Sequence, residues 1–329
     1  MKHCAGYFCL WWSVVAIGTS LGQDDTSWRN PIKKQGYLGT PLVEVTPLSF
    51  MGEFYLMECW RSGWNWPNQP SEAASKRSEI WMAHLPEGPE RYDKRKYLGR
   101  VLTNSTLGTA LIWGDRVYVY AVTAQSSEGG KTVNMTWSRD LRTWSEPVKM
   151  LDSPKGGIFN VAVTRDNKGL AFLFESNGYG QPFTMCYGRV KKPTDTWNPG
   201  IIEGARYGMN KYTGGPALYY EGDWYYTLYL EALGQGRYET RVTRSKDLKT
   251  WQDAPVNRPF ITFDPEKTNL PLRPKPFRET NASDVELCFH DNQTVLYWTG
   301  GDQIRGGDLQ WGIHDGKPGT LLELFFPDQ

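Results

Sequence analysis

The chain lacks the charge imbalance by which several classes of protein are recognised from sequence. Lys plus Arg (37) nearly equal Asp plus Glu (36), which gives a net charge of +1 over 329 residues. Nucleic-acid binders and polybasic membrane-surface proteins usually carry a clear basic excess, so the balance argues against both classes. We therefore expect a partner that is close to neutral or is recognised through local charges only.

Cysteine is scarce, and its spacing fits no metal site. Five are present, of which Cys59, Cys186 and Cys288 lie outside the N-terminal segment. Because three is odd, at most one disulfide can form, and buried free thiols are the simpler interpretation. No Cys/His cluster has zinc spacing and no loop has EF-hand form. We expect no cofactor, although the acidic residues described below leave a structural calcium as an open alternative.

No apolar run reaches the roughly 20 residues that a membrane span needs. The longest, residues 7–18, follows the charged Lys2 and precedes small residues at a cleavage spacing. This pattern predicts a secretory signal peptide over residues 1–22, cleaved near Gly22. The mature domain is then 23–329, soluble and either secreted or periplasmic. Nothing in the sequence indicates its oligomeric state.

Segments with helical periodicity are also missing, and a repeated strand pair takes their place. Aromatic residues make up 14% of the chain, including 15 Trp, and we expect most of them to fill the space between sheets. An apolar strand, a tight turn and an aromatic-rich strand recur five times, at intervals of about 55 to 70 residues. The turns are at Gly52, Gly114-Asp115, Asp166-Asn167, Gly222-Asp223 and Asp291-Asn292. This spacing predicts an all-β fold, a five-bladed β-propeller, with a β-sandwich as the alternative.

A second repeat supports the same architecture. Ser138–Trp144 reads SRDLRTW and Ser245–Trp251 reads SKDLKTW. The Asp can accept backbone hydrogen bonds in a tight turn, with the Trp packed beneath it. These segments resemble the Asp-box turns of sialidases, with Leu where that box usually has Gly. They predict corners between outer strands of blades two and four. Polar, Pro-bearing residues 64–76 and 265–279 are expected to be long loops that shape a cleft.

The propeller geometry brings particular strand ends together. Neighbouring strands are antiparallel, so the start of each innermost strand, the end of the second and the start of the third share one rim. The predicted catalytic residues on that rim are Asp284, Glu231, Glu175 and Glu44. The predicted substrate-binding residues are Glu239, Arg241, Arg237, Asn160, Asn281 and Glu58.

Several carboxylates on one rim are typical of glycoside hydrolysis. One protonates the leaving oxygen while another activates water or attacks the sugar, and their proximity drives their pKa values apart. Glu44 and Asp284 each stand eight residues before a turn residue, so they are equivalent positions. Asp284 is the strongest candidate because it follows Asn281 and Ser283, which can both hydrogen-bond to it. Glu239 could instead be a simple ion-pair partner of the arginines around it.

The five hairpins, the two SxDLxTW turns and the rim acids resemble the five-bladed glycoside hydrolases. That group includes arabinanases, β-xylosidases, α-L-arabinofuranosidases and fructan-cleaving enzymes, and the resemblance implies a carbohydrate substrate. It also implies an Asp base, an Asp modulator and a Glu acid, whereas this chain has Glu44 at the base-like position and Asn160 where an acid is expected. A carbohydrate-binding propeller without catalysis therefore stays open. So does a glycoside phosphorylase that would use Arg237, Arg241 and Arg305 for phosphate.

Overall fold

The computed structural model describes residues 28–63, 65–66, 68–124, 129–180, 183–266, 278–302 and 307–327. The predicted signal peptide, Arg305 and most of the loop predicted at 265–279 lie outside the described residues. Within them the strands form five antiparallel sheets of four strands each. The predicted five-bladed β-propeller is therefore confirmed. Among the described helices, none is long and apolar enough to cross a membrane.

The sheets follow one another along the chain, apart from the first strand, β1 (Lys33–Tyr37). Blade one contains β2 (Val45–Phe50), β3 (Glu53–Trp60), β4 (Glu79–His84) and β5 (Lys96–Thr103). Blade two contains β6 (Ser105–Trp113), β7 (Arg116–Thr123), β8 (Thr132–Ser138) and β9 (Val148–Asp152). Blade three contains β10 (Ile158–Asp166), β11 (Gly169–Ser176), β12 (Thr184–Val190) and β13 (Ile201–Tyr207). Blade four contains β14 (Thr213–Glu221), β15 (Trp224–Gly234), β16 (Arg237–Ser245) and β17 (Gln252–Asp253). Blade five contains β18 (Ser283–His290), β19 (Gln293–Thr299) and β20 (Leu309–Asp315).

The ring is closed by the two ends of the described chain. Strand β1 pairs antiparallel with β20, from Lys33 opposite Ile313 to Tyr37 opposite Gln310, and so becomes the outermost strand of blade five. The hairpin repeat could not reveal this pairing, because β1 has no hairpin partner next to it in sequence. The last blade therefore joins residues from both ends of the domain.

The hydrophobic core lies between the blades. Five buried clusters occupy the five spaces between neighbouring sheets, so both faces of every blade are covered. The largest buried side chains are aromatic, including Trp60, Trp197 and Trp298. Phe172, for example, stacks on Trp197 with ring centroids 4.4 Å apart. As expected from their abundance, many of the aromatic residues fill space between twisted sheets.

The two SxDLxTW segments form the predicted corners between the third and outermost strands of blades two and four. Oδ1 of Asp247 accepts hydrogen bonds from the backbone N–H groups of Lys249 and Thr250 at 2.8 and 2.7 Å. Leu141 and Leu248 adopt left-handed conformations, with φ of 59° and 65°. This explains why related turns have Gly there. Both leucines are buried, and their packing offsets the backbone strain.

Three helical turns and two short α-helices complete the described part of the fold. The 3-10 turns are Pro89–Lys94, Asn177–Tyr179 and Asn198–Gly200. Helix α1 (Glu72–Lys76) lies within residues 64–76, so the prediction of an uninterrupted loop there is wrong. Ser71 caps α1 by accepting a hydrogen bond from the backbone N–H of Ala73 at 3.0 Å, a local signal that the Pro-rich composition obscured. Helix α2 (Pro318–Glu323) follows blade five.

Candidate active site

One register position of the inner strands builds the floor of a central cavity. The position lies six residues before the last residue of each inner strand. Its five occupants, here the axial ring, are Glu44, Leu107, Asn160, Gly215 and Asp284, and all five line the same cavity of about 390 Å³. Equivalent positions in a propeller converge on its axis, which is why residues so far apart in sequence meet here.

The backbone is irregular at the axial ring. The strand register shifts by one residue in blades two to five, between Ser283 and Glu286 in blade five for example. Glu44, Leu107, Gly215 and Asp284 all have positive φ, between 50° and 62°. Bulges re-aim side chains and are common beside active sites. In blade five the bulge lies beside Asp284, whereas Glu44 directly precedes β2 in a blade with no register shift; both share a conformation that non-glycine residues seldom adopt.

A second register position supplies the cavity wall. It lies six residues after the start of each second strand, and its occupants in blades three, four and five are Glu175, Leu230 and Thr299, which all line the cavity. Glu175 is completely buried. Oε2 of Glu175 accepts a hydrogen bond from Nδ2 of Asn160 at 2.5 Å. Glu44, Asp284 and Glu175 thus share one cavity, as the sequence predicted.

Glu44 and Asp284 form a carboxyl pair. Both are buried, and each influences the pKa of the other. Burial, opposed by Arg61 and reinforced by Asp284, raises the pKa of Glu44 to about 8. Burial also raises the pKa of Asp284, while the hydroxyl of Ser283 and the charge of Arg61 oppose the rise. The contact between the two acids raises the pKa of Glu44 and lowers that of Asp284, so Glu44 is the more readily protonated member of the pair.

Glu175 is the third acid of the cavity. Its burial raises its pKa well above the usual range, the Asn160 amide opposes the rise, and the nearby carboxyls of Glu44 and Asp284 add to it. Among the described residues, Oε1 of Glu175 has no hydrogen-bond partner. Burial thus favours the protonated form of Glu175, and one of its buried oxygens has no partner among the described residues.

An aromatic wall closes one side of the cavity and was not among the predicted site residues. Phe159, Phe183 and Tyr212 line it, with ring centroids 4.7 Å apart between the first two and 5.3 Å between the last two. Phe159 is visible in sequence as the neighbour of Asn160, but Phe183 and Tyr212 lie outside the hairpins. Arg61, which follows β3, was missed for the same reason. Apolar ring faces beside polar groups are typical of ligand pockets.

Glu58 and Glu231 lie outside the cavity, and the strand register explains why. Glu58 is one residue short of the wall position, and Glu231 is one residue past it. Because successive side chains in a strand point to opposite faces, a shift of one residue turns each of them away.

Each of these two acids has partners elsewhere. Glu58 is fully buried between Trp60, Tyr92 and Tyr97, with Arg95 at 3.2 Å. Glu231 contacts Lys211 Nζ at 3.4 Å. The structure thus corrects the expected placement of Glu58 and Glu231, and a functional role for either stays a prediction.

The remaining predicted binding residues also lie outside the cavity lining. Glu239 is buried in an ion pair with Arg241, the alternative left open by the sequence. Arg237 is exposed. Asn281 is buried behind the cavity and donates from Nδ2 to Ser283 Oγ at 3.0 Å, while Ser283 in turn donates to Asp284. Of the two residues expected to hydrogen-bond Asp284, Ser283 does so directly and Asn281 acts through it.

No group of three His, Cys, Asp or Glu side chains in the described part of the chain could hold a metal ion. Cys59, Cys186 and Cys288 are free thiols. Burial raises the pKa of all three, to about 12 for Cys186. The acidic and basic groups of the described residues that line the axial cavity are the carboxyls of Glu44, Glu175, Asp284 and Asp302 and the guanidinium of Arg61.

Comparison with known proteins agrees with the geometry. The model of the glycosyl hydrolases family 43 matches residues 111–309, more than half of the chain. This chain belongs to family 43. It is a glycoside hydrolase by family, and the match spans blades two to five, including Asn160, Glu175 and Asp284. No curated protein sequence matches the chain.

Solved structures share the fold of this family 43 chain at low sequence identity. An arabinanase from Bacillus subtilis is 10% identical, with a TM-score of 0.57, covering 83% of this chain and 94% of its own. An exo-1,5-α-L-arabinanase from a bovine ruminal metagenomic library is 12% identical, with a TM-score of 0.56 and coverages of 83% and 92%. A xylan β-1,4-xylosidase from Bacillus halodurans is 14% identical, with a TM-score of 0.56, covering 86% of this chain and 53% of its own.

Proposed function

We propose that this chain hydrolyses a glycosidic bond in the axial cavity, with Glu175 as the acid and Asp284 as the ionised carboxylate. The observation that supports this proposal is the meeting of Glu44, Asp284 and Glu175 in one cavity. Glycosidases need two carboxyl groups in opposite protonation states. Burial keeps Glu175 protonated, while Glu44 holds the proton of the pair and leaves Asp284 charged.

In the proposed reaction, Glu175 gives its proton to the glycosidic oxygen as the bond from that oxygen to the anomeric carbon breaks. Asp284 either takes a proton from the attacking water or attacks the anomeric carbon itself, the two roles known for the second carboxylate. After the first route Glu175 is ionised and Asp284 protonated, and exchange with solvent restores both. After the second route the ionised Glu175 takes a proton from a water that cleaves the bond between the sugar and Asp284, which restores both groups. The anomeric configuration of the product distinguishes the two routes.

Glu44 has a positioning role in this scheme. It sits against Asp284 and, while protonated, places no second negative charge beside it. Arg61, 3.4 Å from Glu44, adds a fixed positive charge to the same side of the cavity. The axial ring has Gly215 in blade four. Because this residue has no side chain, the carboxyl group of Asp284 fits beside it.

The substrate that we propose is an arabinose- or xylose-containing plant glycan. Two things support it: the aromatic wall of Phe159, Phe183 and Tyr212, which offers apolar ring faces, and the names of the structural neighbours, which act on arabinan and xylan. The test is release of reducing ends from a panel of arabino- and xylo-oligosaccharides. Asp284→Asn should lower turnover at least about a hundredfold, and Glu203→Gln, an exposed acid on β13, should not. Binding without any release by the wild type would favour a non-catalytic lectin-like role instead.

We also propose that the protein is exported, on the strength of the sequence of residues 1–22. Intact-mass analysis of the protein expressed in a secreting host should give a chain that starts near Gln23. A chain that retains residues 1–22 inside the cell would contradict export without affecting the proposed chemistry.

A further inference from the structure

Arg61 lies where the axial cavity opens into a second depression, and it lines both spaces. Its Nη2 is 3.4 Å from Oε1 of Glu44, a long contact. Its buried Nε has no hydrogen-bond partner among the described residues. Because a guanidinium carries five N–H donors, Arg61 retains donor capacity for a ligand in either space.

The second depression, here the basic groove, has a volume of about 390 Å³ and shares Arg61, Ser62 and Leu107 with the axial cavity. Lys76 and Arg77, at the end of α1, provide two further cations in its lining. No carboxylate of the described residues lines the groove. A ligand that extends out of the axial cavity along this direction therefore meets three positive side chains.

These cations are only partly neutralised by the protein. Arg77 Nε and Arg100 Nη1 both contact Oε1 of Glu79, at 3.0 and 3.1 Å, so one buried carboxylate serves two guanidinium groups. Lys76 is exposed and has no carboxylate within ion-pair distance in the described part of the chain. On a protein whose overall charge is only +1, this concentration of positive charge is a local feature.

We propose that the basic groove binds a negatively charged sugar residue of the glycan whose bond is cleaved in the axial cavity. The anionic group is a carboxylate, as in a uronic acid, or a sulfate. Arginine forms bidentate hydrogen bonds with planar carboxylates, and an acidic sugar would offer these partly neutralised cations a charged acceptor that a neutral sugar lacks. This inference rests on the proposed function, because it assigns an acidic substituent to that same substrate.

Calorimetric binding to matched oligosaccharides tests the inference. The probes are linear xylo-oligosaccharides, the same oligosaccharides with one glucuronate, oligogalacturonates and a sulfated galactan oligosaccharide. The acidic probes should bind the wild type more tightly than the neutral ones, and more weakly as salt is added. Lys76→Ala/Arg77→Ala should weaken acidic binding about tenfold or more and leave neutral binding unchanged. The uronate and sulfate probes show which anion is preferred.

Arg142→Ala/Lys249→Ala is the control, because it removes two positive charges from the corner turns of blades two and four. Lys76→Glu changes only an exposed side chain, so it tests the same groove if the double variant fails to fold. Thermal unfolding shows whether each variant is folded. Equal binding of acidic and neutral probes, no binding of acidic probes, or acidic binding unaffected by the Lys76 and Arg77 substitutions would overturn the inference. Failure of the proposed function is a separate result, since it would appear as unchanged turnover in Asp284→Asn.

Discussion

Glu44 and Asp284 occupy the same register position in blades one and five, and their carboxyl groups meet at the propeller axis. Both have positive φ, 62° and 54°. Leu107, at the same position of blade two, shares this conformation, and such backbone strain is commonly associated with function because the surrounding structure must compensate for it. Here it places two buried acids in one cavity.

The pKa of Glu44 predicts a pH dependence of stability. Burial raises it from 4.5 to about 8, so the folded state binds more protons than the unfolded state between these values. The resulting stabilisation is complete below about pH 4.5 and is lost as the pH rises through 8. The melting temperature of the wild type should therefore fall between pH 5 and pH 9, and that of Glu44→Gln should fall less.

Differential scanning calorimetry of both proteins over this pH range gives the measurement. Glu203→Gln is the control for the loss of an exposed carboxyl, and it should follow the wild-type curve. Parallel curves for wild type and Glu44→Gln would show that Glu44 titrates normally.

The two neighbouring glycines of blade four should respond differently to substitution. A Cβ at Gly215 would lie 2.1 Å from Oδ1 of Asp284, and the φ of Gly215 is +50°. A Cβ at Gly214 would meet nothing closer than 3.8 Å. Gly215→Ala should displace Asp284 and, on backbone strain alone, cost about 1–2 kcal/mol.

Turnover and melting temperature of both glycine variants provide the comparison. Gly215→Ala should lose activity at least about tenfold and several degrees of melting temperature. Gly214→Ala, the matched control, should lose much less of each. Equal behaviour of the two variants would mean that Gly215 does not make room for Asp284.

Substitution of Leu248 tests whether backbone strain or side-chain burial has the larger effect on stability in the corner turn of blade four. Its left-handed conformation, with φ of 65°, costs about 1–2 kcal/mol relative to Gly. Its side chain is fully buried, and removal of a buried leucine costs about 2–5 kcal/mol. Because the second effect is larger, Leu248→Gly should destabilise the protein by about 1–3 kcal/mol in urea unfolding. A more stable variant would mean that strain outweighs burial at this turn.

The sequence predicted the blades because each hairpin carries its own turn and alternation signals. The axial positions of Glu44 and Asp284 followed by counting back from the turns, and Asn160 followed from its place at the start of an inner strand, since hairpin geometry fixes that strand. On the second strand of each blade, the prediction must be accurate to one residue. It selected the correct wall residue, Glu175, in blade three, but in blades one and four it selected Glu58 and Glu231, each one residue away from the wall position. A register error of one residue reverses the face on which a side chain lies.

Other parts of the site depend on contacts that no local pattern encodes. Arg61, Phe183 and Tyr212 lie in connections between strands, whose paths are set by the packing of whole blades. The closing strand β1 is likewise defined only by its partner β20 at the other end of the chain. These features are tertiary, and periodicity alone does not predict them.

The most direct test of the account is a double-mutant cycle of Asp284→Asn and Glu175→Gln on a cleaved substrate, with Glu231→Gln measured beside it. If Asp284 and Glu175 act as one unit, each single variant should lose about a hundredfold or more in kcat. The double variant should then lose little beyond the worse single variant. Glu231→Gln should retain most of the activity. Near-normal turnover in either cavity variant, together with its loss in Glu231→Gln, would contradict the account.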